Sequence, residues 1–359
     1  MATITTLIPA YKKDYLGETF LGLQRQTCQD FRVIVSDDSP GDEISALIRS
    51  GHFGAVLKGL DVQVLRGPKN ARLNHRALVD HWQGSSPYVH LLMDDDLIYP
   101  GFYSAHLAAH ATGRYSASVS RRWYSHLDTR PVHGVDLPDF VARSPLQVVP
   151  VEADALFTSM VPDCHNWMGE FSNMLISAEG LAHWPKPPAD GLNYFGWLDV
   201  GFLLSAVQHA PIAVLRDHLG VFRQHPEQTT HKMHPHGGIV SNLAWVTCAL
   251  QAWQEQRIGP AQAVAAIRFM VMHCLKLFGE DSPVVNRFYD LVQTQGGDLQ
   301  RLYQTYTVFW LDLLTRHPST LPDGARLSAP PQALATPAAP ALQAQAQATA
   351  TATAHITYV

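Results

Sequence analysis

The first third of the chain alternates short apolar runs with longer amphipathic segments, and this alternation constrains the fold more than any other feature. The apolar runs have the length and β-branched content of buried strands, and they lie at residues 4–8, 33–35, 62–65 and 88–93. The segments between them predict helices near residues 14–27, 43–50 and 71–82. Strands that alternate with helices of this length predict right-handed crossovers and a mostly parallel sheet. The expected fold class is therefore α/β, with helices flanking the sheet.

Functional side chains follow three of these strands at the point where each strand ends. They are Pro9, Ala10 and Tyr11 after the first strand, Asp37 and Asp38 after the second, and Asp94, Asp95 and Asp96 after the fourth. In open sheets of this kind, ligands bind beyond the carboxyl ends of the strands. We therefore expect these residues to lie along one rim and to form a binding site together.

The acidic triplet after the fourth strand indicates a cation site. Three adjacent carboxylates repel one another, by about 1 kcal/mol per pair even in bulk water, and a hard divalent cation is the usual means of neutralising them. Alternate residues of a strand point the same way, so Asp94 and Asp96 can share an ion while Asp95 points elsewhere. The alternative is a solvated acidic turn before a helix that begins at Pro100.

Composition excludes several other classes of protein. The net charge of -5 argues against nucleic-acid binding, and four cysteines without CxxC spacing fit a reducing compartment rather than a disulfide framework or a zinc site. Neither glycine-rich nucleotide fingerprint, GxGxxG or GxxxxGK[ST], is present. The chain enters a predicted strand within its first few residues, which leaves no room for a signal peptide. No apolar run reaches the ~18 residues needed to span a membrane. We expect a cytoplasmic protein, with a peripheral contact at the inner face of the membrane left open.

The order of strands, helices and strand ends over residues 3–101 resembles the nucleotide-sugar-binding half of a family 2 glycosyltransferase, which has the GT-A fold. The resemblance implies that Pro9, Ala10 and Tyr11 line a nucleotide pocket. It also implies that Asp37 or Asp38 contacts the base or ribose. Asp94 and Asp96 would then form the DxD motif that holds Mn²⁺ or Mg²⁺ on the donor diphosphate, with Asp95 beside the donor.

Further site residues follow from the same resemblance. Arg72 or Arg76 would serve a donor phosphate, although a solvated basic start of a helix explains them equally well. Asp199 lies at a predicted helix start, where the helix dipole favours a carboxylate. It matches the catalytic base of the family, while Leu198 stands where the family has Glu. The resemblance also implies that Arg223 and His225, in the family's closing Arg-x-His segment, return to the diphosphate or the metal.

The remainder of the chain changes character after residue 230. Residues 1–230 would form the GT-A domain, with a nucleotide-sugar half at 1–112 and an acceptor half at 113–230. Amphipathic segments predict a helical appendage at 231–318, through which the chain could form homo-oligomers. Several histidines lie at 231–236, where a flexible loop is favoured over zinc. The Ala-, Pro-, Gln- and Thr-rich residues 319–359 predict a disordered tail.

The implied activity is metal-dependent, inverting transfer of a sugar from a nucleotide-diphosphate sugar to an acceptor hydroxyl. The setting would be synthesis of a bacterial surface glycan or glycoconjugate, with a glycan, lipid-linked or protein acceptor. Four tryptophans are candidates for stacking on that acceptor, namely Trp123, Trp167, Trp184 and Trp197. Two alternatives stay open: a nucleotidyltransferase acting on a sugar phosphate, which would need glycines missing after the first strand, and a non-catalytic scaffold that keeps the fold.

Overall fold

A computed structural model describes residues 2–225, 228, 235–279 and 281–316. Ten strands of this part of the chain form one sheet. They are β1 (Ile4–Ala10), β2 (Phe31–Asp37), β3 (Val62–Arg66), β4 (Tyr88–Leu91), β5 (Leu97–Ile98), β6 (Ala117–Ser125), β7 (Pro131–Gly134), β8 (Val148–Val151), β9 (Met174–Ser177) and β10 (Ile212–Arg223). Their order is β3-β2-β1-β4-β9-β6-β10-β5, with β7 beside β6 and β8 beside β10.

Helices connect these strands and follow the last of them. Nine lie before residue 207: α1 (Leu16–Gln24), α2 (Glu43–Arg49), α3 (Gly54–Leu57), α4 (Ala71–Trp82), α5 (Phe102–His110), α6 (Asp139–Ala142), α7 (Ala153–Met160), α8 (Ala178–Leu181) and α9 (Leu198–Ala206). Four longer ones follow the sheet: α10 (Pro235–Gln254), α11 (Pro260–Phe278), α12 (Pro283–Gln295) and α13 (Leu299–Arg316). The helices expected between the first four strands are therefore confirmed. The tail at 319–359 and the side chains of 231–236 lie outside the described residues.

The first half of the sheet is parallel, as the alternation of strands and helices predicts. β1 pairs in parallel with both β2 and β4, and β2 pairs in parallel with β3. The second half is mixed, because β9 runs antiparallel between β4 and β6, while β6 and β10 are parallel. The α/β class is confirmed, and the antiparallel strands make the complete sheet less parallel than the sequence indicated.

Two details of the second half differ from the sequence-based expectation. The short strands expected at 212–215 and 219–222 are one strand, β10, whose pairing with β6 shifts register after Leu215 and again after His218. β9 is only four residues long, and its apolar run has no periodicity that separates a strand from a buried helix turn. β9 joins the two halves of the sheet by pairing with the start of β4, the strand that precedes the acidic triplet.

Alternating residues of the buried strands serve two cores, one on each face of the sheet. Ile8 of β1 joins a core formed with α1 and α5, whereas Leu7 joins a larger core that includes α9. The same larger core contains buried residues of all four C-terminal helices, such as Leu250 and Trp310. The helical appendage therefore packs on the α/β region through a shared apolar interior.

Among the described residues, helix α11 has the length and composition of a membrane span. An 18-residue stretch of this 19-residue helix has a mean hydropathy of 1.4, and 33% of that stretch is buried within the protein. It packs against α10 and α12. Arg268, His273 and Lys276 interrupt it, as the sequence indicates. Core helices of soluble proteins meet the same criterion, so the observation establishes the helix and not a membrane contact.

Candidate active site

The ends of β1, β2, β4 and β10 lie along one edge of the sheet, and the residues predicted to bind a ligand are found there. Ala10 is in register with Asp37 on β2. Pro9 and Ala10 are buried, whereas Tyr11 is 57% exposed. The backbone N–H of Tyr11 donates to the Asp94 carboxylate at 2.6 Å. The first and fourth strand ends are thus tied together, and the Tyr11 ring lies at the surface of this rim.

The two aspartates after β2 have different environments. Asp37 is fully buried, and its oxygens accept the N–H and hydroxyl of Ser39 and the N–H of Ser45 at 3.0, 2.5 and 2.7 Å. Burial alone would raise the pKa of Asp37, but these hydrogen bonds outweigh it and lower the pKa. Asp38 accepts the backbone N–H of Lys69. Asp37 therefore shapes the turn before α2, which leaves Asp38 as the better candidate to contact a nucleoside.

Each aspartate of the triplet has its own set of partners, and all three are buried. Asp94 accepts the backbone N–H groups of Tyr11 and Lys12 at 2.6 Å each. Asp95 contacts the Lys12 ammonium and accepts from His225 Nε2 at 2.9 Å. Asp96 Oδ1 accepts the backbone N–H of Arg223 at 3.1 Å, while its Oδ2 is buried without a hydrogen-bond partner.

The pKa values of the triplet indicate that neighbouring protein groups do not fully neutralise the negative charge of its three carboxylates. Burial, together with the negative charge of Asp95, raises the pKa of Asp94 to about 6 and raises the pKa of Asp96 well above its ordinary value. Burial also opposes ionisation of Asp95, but its contacts with His225 and Lys12 outweigh burial and lower its pKa. Asp95 is thus the charged centre of the triplet, and Asp96 would gain most from an added cation.

The donor set fits a divalent cation that is shared with a substrate. Within the part of the chain that the structure describes, no three His, Cys, Asp or Glu side chains form a metal site by themselves. The unpartnered, buried Asp96 Oδ2 is a hard ligand, and the buried His225 Nδ1 also has no partner. Mg²⁺ and similar ions commonly take one or two carboxylates and complete their coordination with substrate phosphates and water. Asp96 and its neighbours satisfy that requirement.

Arg223 lies beside the triplet, but protein groups already occupy its guanidinium, and its contact with a diphosphate or metal stays a prediction. Its Nε donates to the carbonyl of Asp95 at 2.9 Å, and its two terminal nitrogens donate to the Leu127 carbonyl at 2.8 Å and to Glu18 at 2.7 Å. The guanidinium also lies 4.5 Å from the centre of the Tyr15 ring. Arg223 is 1% exposed and therefore fixes the end of β10 against the acidic triplet.

The predicted phosphate contact from helix α4 rests on Arg72. Arg72 lies in the first turn of this helix, and its side chain is outside the described residues. The alternative, Arg76, forms an ion pair with Asp80 one turn later at 2.9 Å. Arg76 is thus engaged on the surface of α4, and Arg72 keeps the phosphate role as a prediction.

Asp199 occupies the second position of α9, as the sequence predicts. Its Oδ1 accepts the N–H of Val200 at 2.8 Å, and Asn166 approaches Oδ2 at 3.4 Å. The residue retains partial exposure. Burial of the carboxylate, with the negative charge of Glu170, raises the pKa of Asp199 to about 7, against the opposing effect of Arg122. A carboxyl group of this kind is suited to exchange a proton near neutral pH.

A partly buried ion pair near Asp199 was not predicted from the sequence. Arg122 donates to Glu170 at 2.7 Å and to the Tyr124 hydroxyl at 2.6 Å. A Cβ on Gly169, which has a φ of +112°, would lie 2.4 Å from the Arg122 guanidinium, so glycine is required there. The two-residue spacing of Arg122 and Tyr124 on β6 was the available signal, since it places both on one face. Nothing in the sequence connected Glu170 with either.

The four candidate tryptophans divide into two groups. Trp167 and Trp184 are buried in the core. Trp123 and Trp197 are partly exposed. Trp123 stacks on His218 with 3.6 Å between ring centroids, and Trp197 packs near Trp245. The prediction of an acceptor contact therefore stays with Trp123 and Trp197.

Comparisons with known proteins identify a matching family model and similar folds. Residues 5–160 match the model of "Glycosyl transferase family 2". The structure of Staphylococcus aureus TarS 1-349 is similar with a TM-score of 0.54 and 12% identity, covering 88% of this chain and 86% of that one. Its complex with UDP-GlcNAc gives a TM-score of 0.51 and 14% identity, covering 89% and 82%. No curated protein matched the chain. At these identities, the similarity to TarS shows a common fold.

Proposed function

Because residues 5–160 match the model of glycosyl transferase family 2, we propose that this protein is a glycosyltransferase that moves a sugar from a nucleotide-diphosphate sugar to an acceptor hydroxyl with inversion, and that it depends on a divalent metal. One observation carries the proposal. Burial is the main cause of the raised pKa values of Asp96 and Asp199, and the negative charge of Glu170 contributes to both. Glu170 is therefore near both carboxylates, which supports a single cleft for donor and acceptor.

Asp199 is the proposed general base, which removes a proton from the acceptor hydroxyl. Its carboxylate would accept the hydroxyl proton as the oxygen attacks the anomeric carbon from the face opposite the diphosphate. A single displacement of this kind inverts the configuration and needs no second carboxylate as a covalent nucleophile, in contrast to retaining glycosidases. The Val200 N–H and Asn166 hold the carboxylate in place, so it does not need to reorganise when the acceptor arrives.

The acidic triplet is the proposed site for the metal ion and the donor diphosphate. Asp94, Asp96 and His225 are the proposed holders of Mn²⁺ or Mg²⁺, which when bound stabilises negative charge on the leaving diphosphate. Asp95 stays charged beside them, and Arg223 fixes the loop that carries it. On the nucleoside side, Pro9, Ala10 and the exposed Tyr11 would line the pocket, with Asp38 toward the base or ribose.

The donor and acceptor are proposed only as chemical classes. One TarS structure contains UDP-GlcNAc, so UDP-sugars are the first donors to test. The partly exposed Trp123 and Trp197 are suited to stack on a sugar ring of a glycan, lipid-linked or protein acceptor. The cytoplasm, where activated donors are made, is the proposed location, and the enzyme would serve a surface glycan or glycoconjugate.

A thermal-shift screen tests the proposal. We expect a UDP-sugar with Mn²⁺ to raise the Tm by several degrees, because a ligand at 100 times its Kd stabilises the folded state by about 2.7 kcal/mol. UDP-sugar without metal should give a smaller shift, and Asp199→Asn should respond as the wild type does. The absence of stabilisation by every nucleotide sugar, with and without Mn²⁺, would contradict a donor site at this rim.

The pH dependence of transfer provides a second test. Asp199 must be deprotonated to act as a base, and its pKa is about 7. The rate should therefore rise as the pH increases through 7. In Glu170→Gln the negative charge that raises the pKa of Asp199 is absent, so the midpoint should fall by ~1 pH unit.

The matched control for this measurement is Glu179→Gln. Glu179 pairs with Arg114 at 2.8 Å in a solvent-exposed ion pair on α8, far from any role in the proposed chemistry. Its pH profile should coincide with that of the wild type. A Glu170→Gln profile with an unchanged or higher midpoint would exclude Asp199 as the group that sets the pH dependence.

A further inference from the structure

Lys12 places a positive charge directly on the acidic triplet. Its ammonium contacts the Asp95 carboxylate and lies 3.9 Å from Asp94 Oδ1. Its own backbone N–H donates to Asp94 Oδ2 at 2.6 Å. Both the backbone and the side chain of Lys12 are therefore bound to the triplet. The side chain is 17% exposed. The same Asp95 oxygen that contacts the ammonium also accepts from His225 Nε2 at 2.9 Å.

The neighbouring lysine shows that this placement is specific. Lys13 follows Lys12 directly, yet its ammonium contacts Glu43 at the start of α2, and its side chain is 45% exposed. Two consecutive lysines at the end of β1 thus have opposite surroundings. Only Lys12 enters the cleft, so the chain offers a natural control for any experiment on its charge.

The other nearby cation does not perform the same task. The Arg223 guanidinium is directed at the Asp95 and Leu127 carbonyls and at Glu18, so it meets no carboxylate of the triplet. Within the described residues, Lys12 is the lysine or arginine whose side chain pairs with Asp94 and Asp95. Asp96 Oδ2 and His225 Nδ1 remain buried beside it without hydrogen-bond partners. Two potential metal ligands, Asp96 Oδ2 and His225 Nδ1, therefore lie close to the Asp95 carboxylate that Lys12 already contacts.

We propose that the Lys12 ammonium is a resident counter-ion of the acidic triplet, which a divalent cation must displace before it can bind at Asp94 and Asp96. The inference rests on the proposed function for the identity of that cation. A lysine is suited to the role, because its ammonium is a compact charge on a flexible stem that can move without disturbing the backbone. The Lys12 N–H remains bonded to Asp94 while the side chain leaves.

Displacement couples the metal to the donor. The released ammonium needs a new negative partner, and the diphosphate bound at the same strand ends supplies one. A nucleoside diphosphate should therefore increase the affinity for the cation, and the cation should increase the affinity for the nucleotide by the same factor. In the absence of nucleotide, Lys12 keeps free divalent cations from binding tightly to the triplet.

Titration of the protein with Mn²⁺ alone tests the inference, with calorimetry and the electron paramagnetic resonance signal of free Mn²⁺ as readouts. Lys12→Met should bind Mn²⁺ with a Kd ~10-fold lower than that of the wild type, since a competing unit charge within about 4 Å of a carboxylate is removed. Lys12→Arg should restore the wild-type Kd. Lys13→Met removes a charge of the same kind one residue away and should leave the Kd unchanged.

The outcomes separate this inference from the proposed function. An unchanged Mn²⁺ Kd in Lys12→Met, including the case in which neither protein binds Mn²⁺, overturns the inference. If Lys12→Met does not fold, the Mn²⁺ Kd of Lys12→Gln, which keeps a hydrogen-bond donor for Asp95, decides the question by the same criterion. If Lys12→Met gains Mn²⁺ affinity while no nucleotide sugar stabilises either protein, the resident counter-ion stands and the donor site is wrong.

Discussion

Replacement of Asp199 by Asn is expected to lower the rate of sugar transfer by ~10²–10⁴-fold, the range typical for loss of a general base. Asparagine has nearly the same shape, and its side-chain oxygen can still accept the Val200 N–H that Asp199 Oδ1 accepts at 2.8 Å. It cannot take the acceptor proton. Donor affinity should change little, because the hydrogen bonds that Asp199 forms in the described structure are with Val200 and Asn166 and not with the triplet. Single-turnover transfer, with donor binding measured by calorimetry, separates the two effects.

The control for Asp199→Asn is Asp154→Asn. Asp154 also occupies the first turn of a helix, α7, but its side chain is 86% exposed and it faces Arg257 across 3.5 Å. Its replacement should leave transfer unchanged. If Asp199→Asn retained wild-type turnover, the base would have to lie elsewhere, and Glu170, whose charge raises the pKa of Asp199, would be the next residue to replace.

The donor half could be predicted from the sequence because its information is local. Ile8 and its neighbours on β1 are buried on both faces of the sheet, which yields a continuous apolar run that predicts a parallel strand. The functional residues then lie where such strands end, so the chain order of Tyr11, Asp38 and Asp94 already specifies one rim. Each inference needed only the residues within one strand and the turn that follows it.

The acceptor side could not be predicted in the same way, because its key contacts join distant segments. Arg122 and Glu170 are 48 positions apart, and their pairing depends on β9 entering the sheet between β4 and β6. A buried arginine on a strand carries no local signal of its partner. The sequence did locate Asp199 through the start of α9, but the partners that raise its pKa became visible only in three dimensions.

The sequence also could not predict that the three aspartates of the triplet have different hydrogen-bond partners. Strand alternation predicts that Asp94 and Asp96 are equivalent ligands and that Asp95 points elsewhere. However, β4 ends at Leu91, before the triplet, and the Lys12 ammonium approaches both Asp94 and Asp95. In the structure Asp94 accepts two backbone N–H groups, while Asp96 retains a buried oxygen without a partner. The difference arises from the loop after β1, whose backbone reaches Asp94. Asp96 is therefore the carboxylate for which the prediction of metal binding is sharpest.

Asp96→Asn is expected to lower transfer by ~10³-fold or more, because a bound metal ion contributes several kcal/mol of charge stabilisation in the transition state. The substitution should preserve the fold, since an asparagine oxygen can accept the Arg223 N–H that Asp96 Oδ1 accepts at 3.1 Å. It also removes a buried group whose pKa is raised by burial and by Asp95. The Tm in the absence of ligands should therefore be no lower than that of the wild type.

The decisive measurement is the Mn²⁺-dependent part of donor binding, obtained from UDP-sugar titrations with and without the metal. Asp96→Asn should abolish that part and leave the metal-free affinity intact. Asp80→Asn should change neither, because Asp80 is exposed on α4 and pairs with Arg76. If Asp96→Asn kept the full effect of Mn²⁺, its unpartnered oxygen would not be a ligand. The metal would then have to bind at Asp95 and His225, where the Lys12 ammonium now lies.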